Sequence, residues 1–169
     1  MESPMRIRQV KLLDLGEIVR IEQANFLGEE ATSPEKLKEQ IEKIPNTFLI
    51  ADLNGEIAGY IIGSAVSSHH QSADCLVKGM RNLDKSNFIF LQRLSINPDF
   101  KGQGVGTLLL AAMKEVVVDL QNQGIYLACK VHLISYFVMN GFSDLGIFET
   151  TYGDGPHIEM IWENPYFKE

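Results

Sequence analysis

The chain has 169 residues, 45% hydrophobic and 22% charged. That is enough apolar material for one self-supporting core, too much for a disordered polymer, and the length predicts a single domain over residues 1–169. With 15 Lys and Arg against 22 Asp and Glu, the formal net charge of −7 excludes a broad phosphate-backbone footprint on DNA or RNA and suits cationic or neutral small partners. No run of about 18 apolar residues marks a membrane span, MESPMRIRQV lacks the apolar centre of a signal peptide, and Cys75 and Cys129 form no CxxC pair, so a cytoplasmic location is expected.

Met5 to Val10 reads as a first strand. Asp14 with Glu17 resembles a capping box opening a helix to about Phe26, with Leu15, Ile18 and Val19 on its apolar side. Ser33-Pro34 opens a second helix, because serine caps and proline loses no hydrogen bond at the first helical position. Leu37, Ile41 and Ile44 recur at helical spacing until Pro45. Thr47–Leu53 and Glu56–Val66 are strand-like runs joined by Asn54-Gly55, a pair that favours a type I′ hairpin turn. Ser67 to Ser86 is polar and reads as a long loop in which His69, His70 and Asp74 are exposed.

Phe88–Ile96 is the next strand, followed by a helix from Gly104 to Gln121 with Val105, Leu108, Leu109, Ala112, Val116 and Leu120 inward and Gly124 ending it. Ile125–Val131 reads as a short buried strand, and His132–Asn140 as a short helix closed by Gly141. Strand material follows to about Phe148 and again from His157 to Trp162. Strands alternating with helices, with hairpins at both ends, imply a mixed α/β sheet.

The chemistry-bearing stretch runs from Leu94 to Thr107. A strand passes through Asn97-Pro98 into a loop with glycine at every other position from Gly102 to Gly106, and that loop opens an amphipathic helix. Glycines let backbone N–H groups converge, and a helix N-terminus adds partial positive charge, so the segment suits a phosphate or pyrophosphate. The P-loop pattern GxxxxGK[ST] is absent, and GxGxG past mid-chain departs from the dinucleotide GxGxxG of an opening βαβ unit.

Lys101-Gly102-Gln103-Gly104-Val105-Gly106 resembles the acetyl-CoA loop [RQ]xxGx[GA] of the GNAT N-acetyltransferases, with lysine in place of arginine or glutamine. Leu94-Ser95-Ile96-Asn97-Pro98 is similar to that family's LxVxP strand end, and Ser135 to Phe142 to its helix ending FYxxxGF. Ile21 to Phe26 is similar to the IExxAF of the arylalkylamine (serotonin) N-acetyltransferase group. The resemblance implies a mixed, mostly antiparallel sheet of about six to seven strands with helices on both faces. It also implies acetyl-CoA as cosubstrate and a small-molecule or peptide amine as acceptor. Leu94, Ser95 and Ile96 would then hold the pantetheine arm through strand backbone groups. Lys101, Gly102, Gln103, Gly104, Val105, Gly106 and Thr107 would hold the pyrophosphate, Ala128 and Phe137 would flank the thioester, and Phe26 would wall the amine pocket.

The proton-transfer residues depart from the pattern. Where the animal enzymes carry two histidines, this chain has Phe90 and Gln92, and the tyrosine that protonates the leaving thiolate falls on Phe137. Tyr136 is adjacent, one helical step of about 100° away. Presenting a lysine-like amine neutral at pH 7 costs roughly 4.6 kcal/mol, whereas releasing a thiolate costs about 2 kcal/mol, so a base matters more than an acid. Glu22 and His157 are the candidate bases, Tyr136 the candidate acid, and Gln92 a candidate hydrogen-bond partner for the acceptor. Lys130 and His132 meet phosphates or solvent, Cys129 is packing, and no metal site is expected. The rival readings are a non-catalytic acyl-CoA-binding or sensing domain and a nucleotide-binding enzyme.

Overall fold

The computed structural model describes residues 4–66, 88–148 and 157–168. The expected Ser67–Ser86 loop, with His69, His70, Asp74 and Cys75, lies outside the described residues. The elements are β1 (Arg6–Gln9), α1 (Leu15–Asn25), α2 (Pro34–Lys43), β2 (Phe48–Leu53), β3 (Glu56–Val66), β4 (Phe88–Ile96), α3 (Val105–Asp119), β5 (Gly124–Lys130), α4 (Ile134–Met139), β6 (Ser143–Phe148) and β7 (His157–Glu163). The strands form a seven-stranded sheet in the order β1-β2-β3-β4-β5-β7-β6. The β1–β2, β2–β3, β5–β7 and β6–β7 pairs are antiparallel and β4–β5 is parallel, so the expected mixed, mostly antiparallel α/β architecture is present. No helix among the described residues is long and apolar enough to cross a membrane.

By its internal contacts the chain divides into two compact units, Met1–Gly63 with Arg93–Met113 and Ser64–Gln92 with Lys114–Glu169. In the first unit, Asn54 (φ 55°) and Gly55 (φ 90°) make the expected tight turn between β2 and β3. The register places Phe48 opposite Ile62 and Ile50 opposite Tyr60, on the face that packs with Ile18, Ile21, Leu37 and Ile41 of α1 and α2. Gly59 points to the other face, as alternation along a strand demands. A Cβ there would lie 2.8 Å from the Ser95 carbonyl oxygen and 3.1 Å from Val105 Cγ1, so the first turn of α3 rests where only glycine fits. Ser33 caps α2 as expected, its Oγ accepting from the Lys36 amide at 3.2 Å.

Three details correct the sequence reading. Asp14 does not cap α1; its carboxylate accepts from the Lys11 amide and from both Nη atoms of Arg8, closing the turn before the helix. On α3 the buried stripe is Val105, Leu109, Leu110, Met113 and Val117, while Leu108 is 38% exposed. The long apolar run leaves more than one face able to sit inward, and packing selected a stripe displaced from the expected one. Gly124 opens β5 rather than ending α3, whose exit is made by Gln121 (φ 61°) and an Asn122 amide bond back to the Val117 carbonyl. A Cβ on Gly124 would sit 2.2 Å from the Trp162 carbonyl oxygen, which is why glycine is there.

In the second unit β5 pairs with β7 from Gly124↔Glu163 to Lys130↔His157. Val66, Phe88, Phe90, Tyr126 and Ile161 form its apolar cluster. Lys114 lies 5.6 Å from the Phe142 ring and 5.4 Å from that of Trp162, and donates to the Asn140 carbonyl at the end of α4. Burial pushes its ammonium below the usual lysine range.

Arg8 links β1, β2 and the turn before α1, bonding Asp52 at 2.9 Å and Asp14 at 2.8 Å. Burial raises the Asp14 carboxyl, but the bonds from Arg8 and Lys11 outweigh it and hold it below its usual value; the Arg8 bond, helped by the Gly55 amide, lowers Asp52. Depressed carboxylates contribute stability that is present above the unfolded value of 3.8 and is lost as pH falls through the folded values. Arg8→Met is expected to cost about 1 kcal/mol at pH 7, a surface-pair magnitude. Thermal melts across a pH series should show the gap between variant and wild type closing below 3.8.

Candidate functional site

The candidate site begins where β4 ends in the first unit. The Asn97 amide donates to the Ala58 carbonyl at 2.9 Å, so the backbone of Asn97 faces β3. Alternation then turns Ser95 toward β3 as well, consistent with the approach of its carbonyl to Gly59, and turns Leu94 and Ile96 the other way. The Ile96 carbonyl accepts from Asn25 Nδ2 at 2.7 Å, and the same nitrogen donates to Ser95 Oγ at 2.8 Å. Of the three residues expected to offer backbone groups to pantetheine, Leu94 and Ile96 are turned from β3 and Ser95 is not. The parallel β4–β5 ladder spans only Phe88–Phe90 among the described residues.

Pro98–Phe100 forms one tight turn, with Asn97 Oδ1 accepting from the Asp99 amide at 3.1 Å. Lys101, Gly102, Gln103 and Gly104 are then exposed. Gly102 (φ 80°) and Gly104 (φ 76°) lie in the left-handed region, and a Cβ at either would meet nothing within 4 Å. Backbone conformation, not crowding, requires these glycines. The first amides of α3 have no partner one turn earlier in the helix, and no acidic residue occupies its first turn to compete for them. Val105 and Gly106 are buried and Thr107 is exposed, so Val105 offers the site only its backbone. An open cavity of about 620 Å³ lies beside the preceding turn, but Asp14, Glu17, Glu56 and Asp99 line it and none of the expected site residues does.

Glu22 is fully buried, at 0% exposure, and its carboxylate accepts from Tyr60 Oη at 2.5 Å, the Thr32 amide at 2.8 Å and Arg93 Nη2 at 2.7 Å. Burial first, and the neighbouring Glu22 charge second, push the Tyr60 hydroxyl far above the usual tyrosine range, so it remains a donor. A general base must reach the proton it removes. Glu22 is enclosed by donors with no accessible surface, which corrects its assignment as base: it is an internal anchor. Arg93, absent from the sequence reading, is the second half of that anchor. Its Nη2 also donates to the Glu30 carbonyl at 2.7 Å and Thr32 Oγ1 at 3.2 Å, and its Cζ lies 3.7 Å from the centre of the Phe26 ring. The expected pocket wall Phe26 is half-buried and carries a cation on one face.

In the second unit Gln92 donates from Nε2 to Ser64 Oγ at 2.8 Å, and Phe90 packs on Tyr126 with ring centres 5.3 Å apart. Ala128 is half-buried opposite Glu159, and among the described residues β5 from Leu127 to Lys130 has a ladder partner only in β7. Phe137 is buried, edge-on to Phe142 and Tyr136, whose own ring is half-buried. His157 opens β7, half-buried, and its Nδ1 is buried with no hydrogen-bond partner among the described residues. Cys129 is buried with Sγ 3.6 Å from Met160 Sδ, and burial raises its thiol, as suits packing. Lys130 and His132 are exposed. No group of three or more His, Cys, Asp or Glu converges as a metal site among the described residues.

Removing Arg93 leaves the Glu22 charge buried without its cation. Arg93→Met is expected to cost about 3 kcal/mol, as for other broken buried pairs, and Glu22→Leu with Arg93→Met to recover much of that loss. Urea unfolding of the single and double variants measures the coupling; additive losses would mean the two residues act independently.

The acetyltransferase (GNAT) family model matches residues 15–142. No curated protein matches the chain in sequence. Several solved structures share its fold. The loading GNATL domain of CurA from Lyngbya majuscula has a TM-score of 0.80 at 14% identity, over 96% of this chain and 98% of that one. The ribosomal-protein-S18-alanine N-acetyltransferase of Escherichia coli has a TM-score of 0.68 at 18% identity, over 95% and 94%. The PaiA N-acetyltransferase of Thermoplasma acidophilum, in complex with coenzyme A, has a TM-score of 0.66 at 18% identity, over 95% and 99%. The matched segment runs from the start of α1, through the Glu22–Arg93 anchor and the glycine loop, to Phe142 just beyond α4, and the chain belongs to the acetyltransferase (GNAT) family.

Proposed function

We propose that this chain is an acetyl-CoA-dependent N-acetyltransferase whose two units work as one domain and pass the acetyl group to a primary amine by direct attack. The observation that carries the reading is the loop from Lys101 to Thr107. Gly102 and Gly104 hold left-handed backbone in open space, and the acid-free first turn of α3 follows at once. The room above these glycines and the exposed Lys101 fit a pyrophosphate, and solved relatives of this fold hold coenzyme A. Acetyl-CoA supplies an activated thioester when bound.

The chain's own residues divide the work. Backbone amides from Gly102 to Thr107 neutralise pyrophosphate charge, and Leu94 and Ile96 offer strand edge groups to the pantetheine arm. Ala128 and Phe137 border the thioester. Phe26, and the similarity of Ile21–Phe26 to the arylalkylamine group, support an acceptor with an apolar body; peptide amines and polyamines fit the same chemistry. With Glu22 enclosed, His157 is the base and Tyr136 the acid. The half-buried place of His157 at the start of β7 supports that assignment, since part of the residue stays accessible and imidazole is the commonest general base.

A non-catalytic acyl-CoA-binding or sensing domain is the second reading, favoured by Phe90 and Gln92 standing where histidines do this work, with Gln92 tied to Ser64. Titration calorimetry separates loop from scaffold: acetyl-CoA is expected to bind at micromolar Kd and ATP and NAD not to bind. Gly104→Val should weaken acetyl-CoA at least 10-fold, about 1.4 kcal/mol, while the far-ultraviolet circular dichroism stays unchanged. Unchanged affinity would make the loop a mere turn. His157→Gln should lower kcat about 100-fold, most below the amine pKa. Acetyl-CoA binding with no transfer to any amine would select the sensor.

A further inference from the structure

We infer that two copies of this chain pair through one end of the first unit, the basic groove of each lying on the acidic groove of the other. The β2–β3 turn at Asn54-Gly55 stands between two open grooves that share Gly55. One, of about 620 Å³, carries Asp14, Glu17, Glu56 and Asp99 against one cation, Arg20. The other, of about 510 Å³, carries Arg6, Arg8 and Lys11 against one anion, Asp52. The grooves adjoin, because Arg8 on the basic side holds Asp14 on the acidic side at 2.8 Å. Arg8 also holds Asp52, and Glu17 holds Arg20. With these internal pairs made, Glu56 and Asp99 on one side and Arg6 and Lys11 on the other are exposed and have no ion-pair partner among the described residues.

The pattern selects the occupant. A basic peptide or a small anion satisfies only one groove. A second copy, turned by a two-fold axis passing near Gly55, satisfies both and makes every contact twice, which is the self-complementarity an isologous interface requires. Leu13 lines the acidic groove at 95% exposure and its neighbour Leu12 is 53% exposed, apolar surface that such a copy covers. Gly55 brings no side chain to the axis, and a Cβ there would meet nothing within 4 Å, so the two backbones have room to approach.

The test is sedimentation velocity on the full chain from about 1 to about 200 μM, which brackets a micromolar Kd. Each copy carries a net charge of −7, so salt screens attraction and repulsion together and charge reversal is the decisive variable. Wild type is expected to dimerise with a micromolar Kd. Arg6→Glu with Lys11→Glu, and separately Glu56→Lys with Asp99→Lys, should each raise that Kd at least 10-fold, although the second pair brings the net charge closer to zero. Mixed in equal amounts, the two variants should form a dimer of one copy of each. A chain carrying all four substitutions, whose net charge is again −7, should dimerise as wild type does. Thermal melts check that each variant is folded. A monomer at every concentration would overturn the inference and leave the grooves to a partner of another kind. A dimer indifferent to both reversals, no recovery in the mixture and the fourfold variant, or growth past two copies would overturn it equally.

Discussion

A single buried carboxylate organises the first unit. Glu22 projects from α1 into an interior where an isolated charge would cost far more than any one packing contact returns, so its neighbours must answer it. Tyr60 answers from β3, the Thr32 amide from the segment leading into α2, and Arg93 from β4. Those contacts tie one helix to two strands and a connecting turn. The next polar residue along α1, Asn25, continues the seam by holding Ser95 Oγ and the Ile96 carbonyl. The last residues of β4 are therefore gripped from the helix side immediately before the chain enters the glycine loop. Sequence, packing and site meet here: two polar side chains of α1 set where the loop starts.

Beyond that anchor the work passes to the backbone. Gly59 lets the start of α3 approach β3, and Gly102 and Gly104 adopt conformations that L side chains rarely tolerate. None contributes a functional group of its own. They place amides, and amides serve any acyl-CoA equally well. Selection of an acceptor has to come from side chains.

The features legible in the sequence were those with strong local signals. Asn54-Gly55, Ser33-Pro34 and the alternating glycines each dictate a backbone conformation within a few residues, and each stands where it was expected. Asp14 misled because a capping residue can satisfy a strand arginine instead, and only three-dimensional proximity reveals Arg8. The inward face of α3 was ambiguous because its sequence is apolar on more than one side. The Glu22–Arg93 pair left a faint signature: Glu22 falls in the same helical stripe as Ile18, and Arg93 is the one charged residue of β4. Two such misplaced charges of opposite sign could have been read as partners. Their meeting across 71 positions of sequence was beyond periodicity.

The departure of Phe90 and Gln92 from the histidine pattern then acquires a physical sense. Presenting a neutral amine at pH 7 costs roughly 4.6 kcal/mol for a lysine side chain, but only about 1 kcal/mol for a peptide α-amino group with a pKa near 7.8. An enzyme serving peptide α-amines needs less help from a base than one serving alkylamines. Phe90 is free to become core, packed on Tyr126, and Gln92 to brace β4 against Ser64. With no histidine on β4, the proton that remains falls, in the reading proposed above, to the single imidazole of His157.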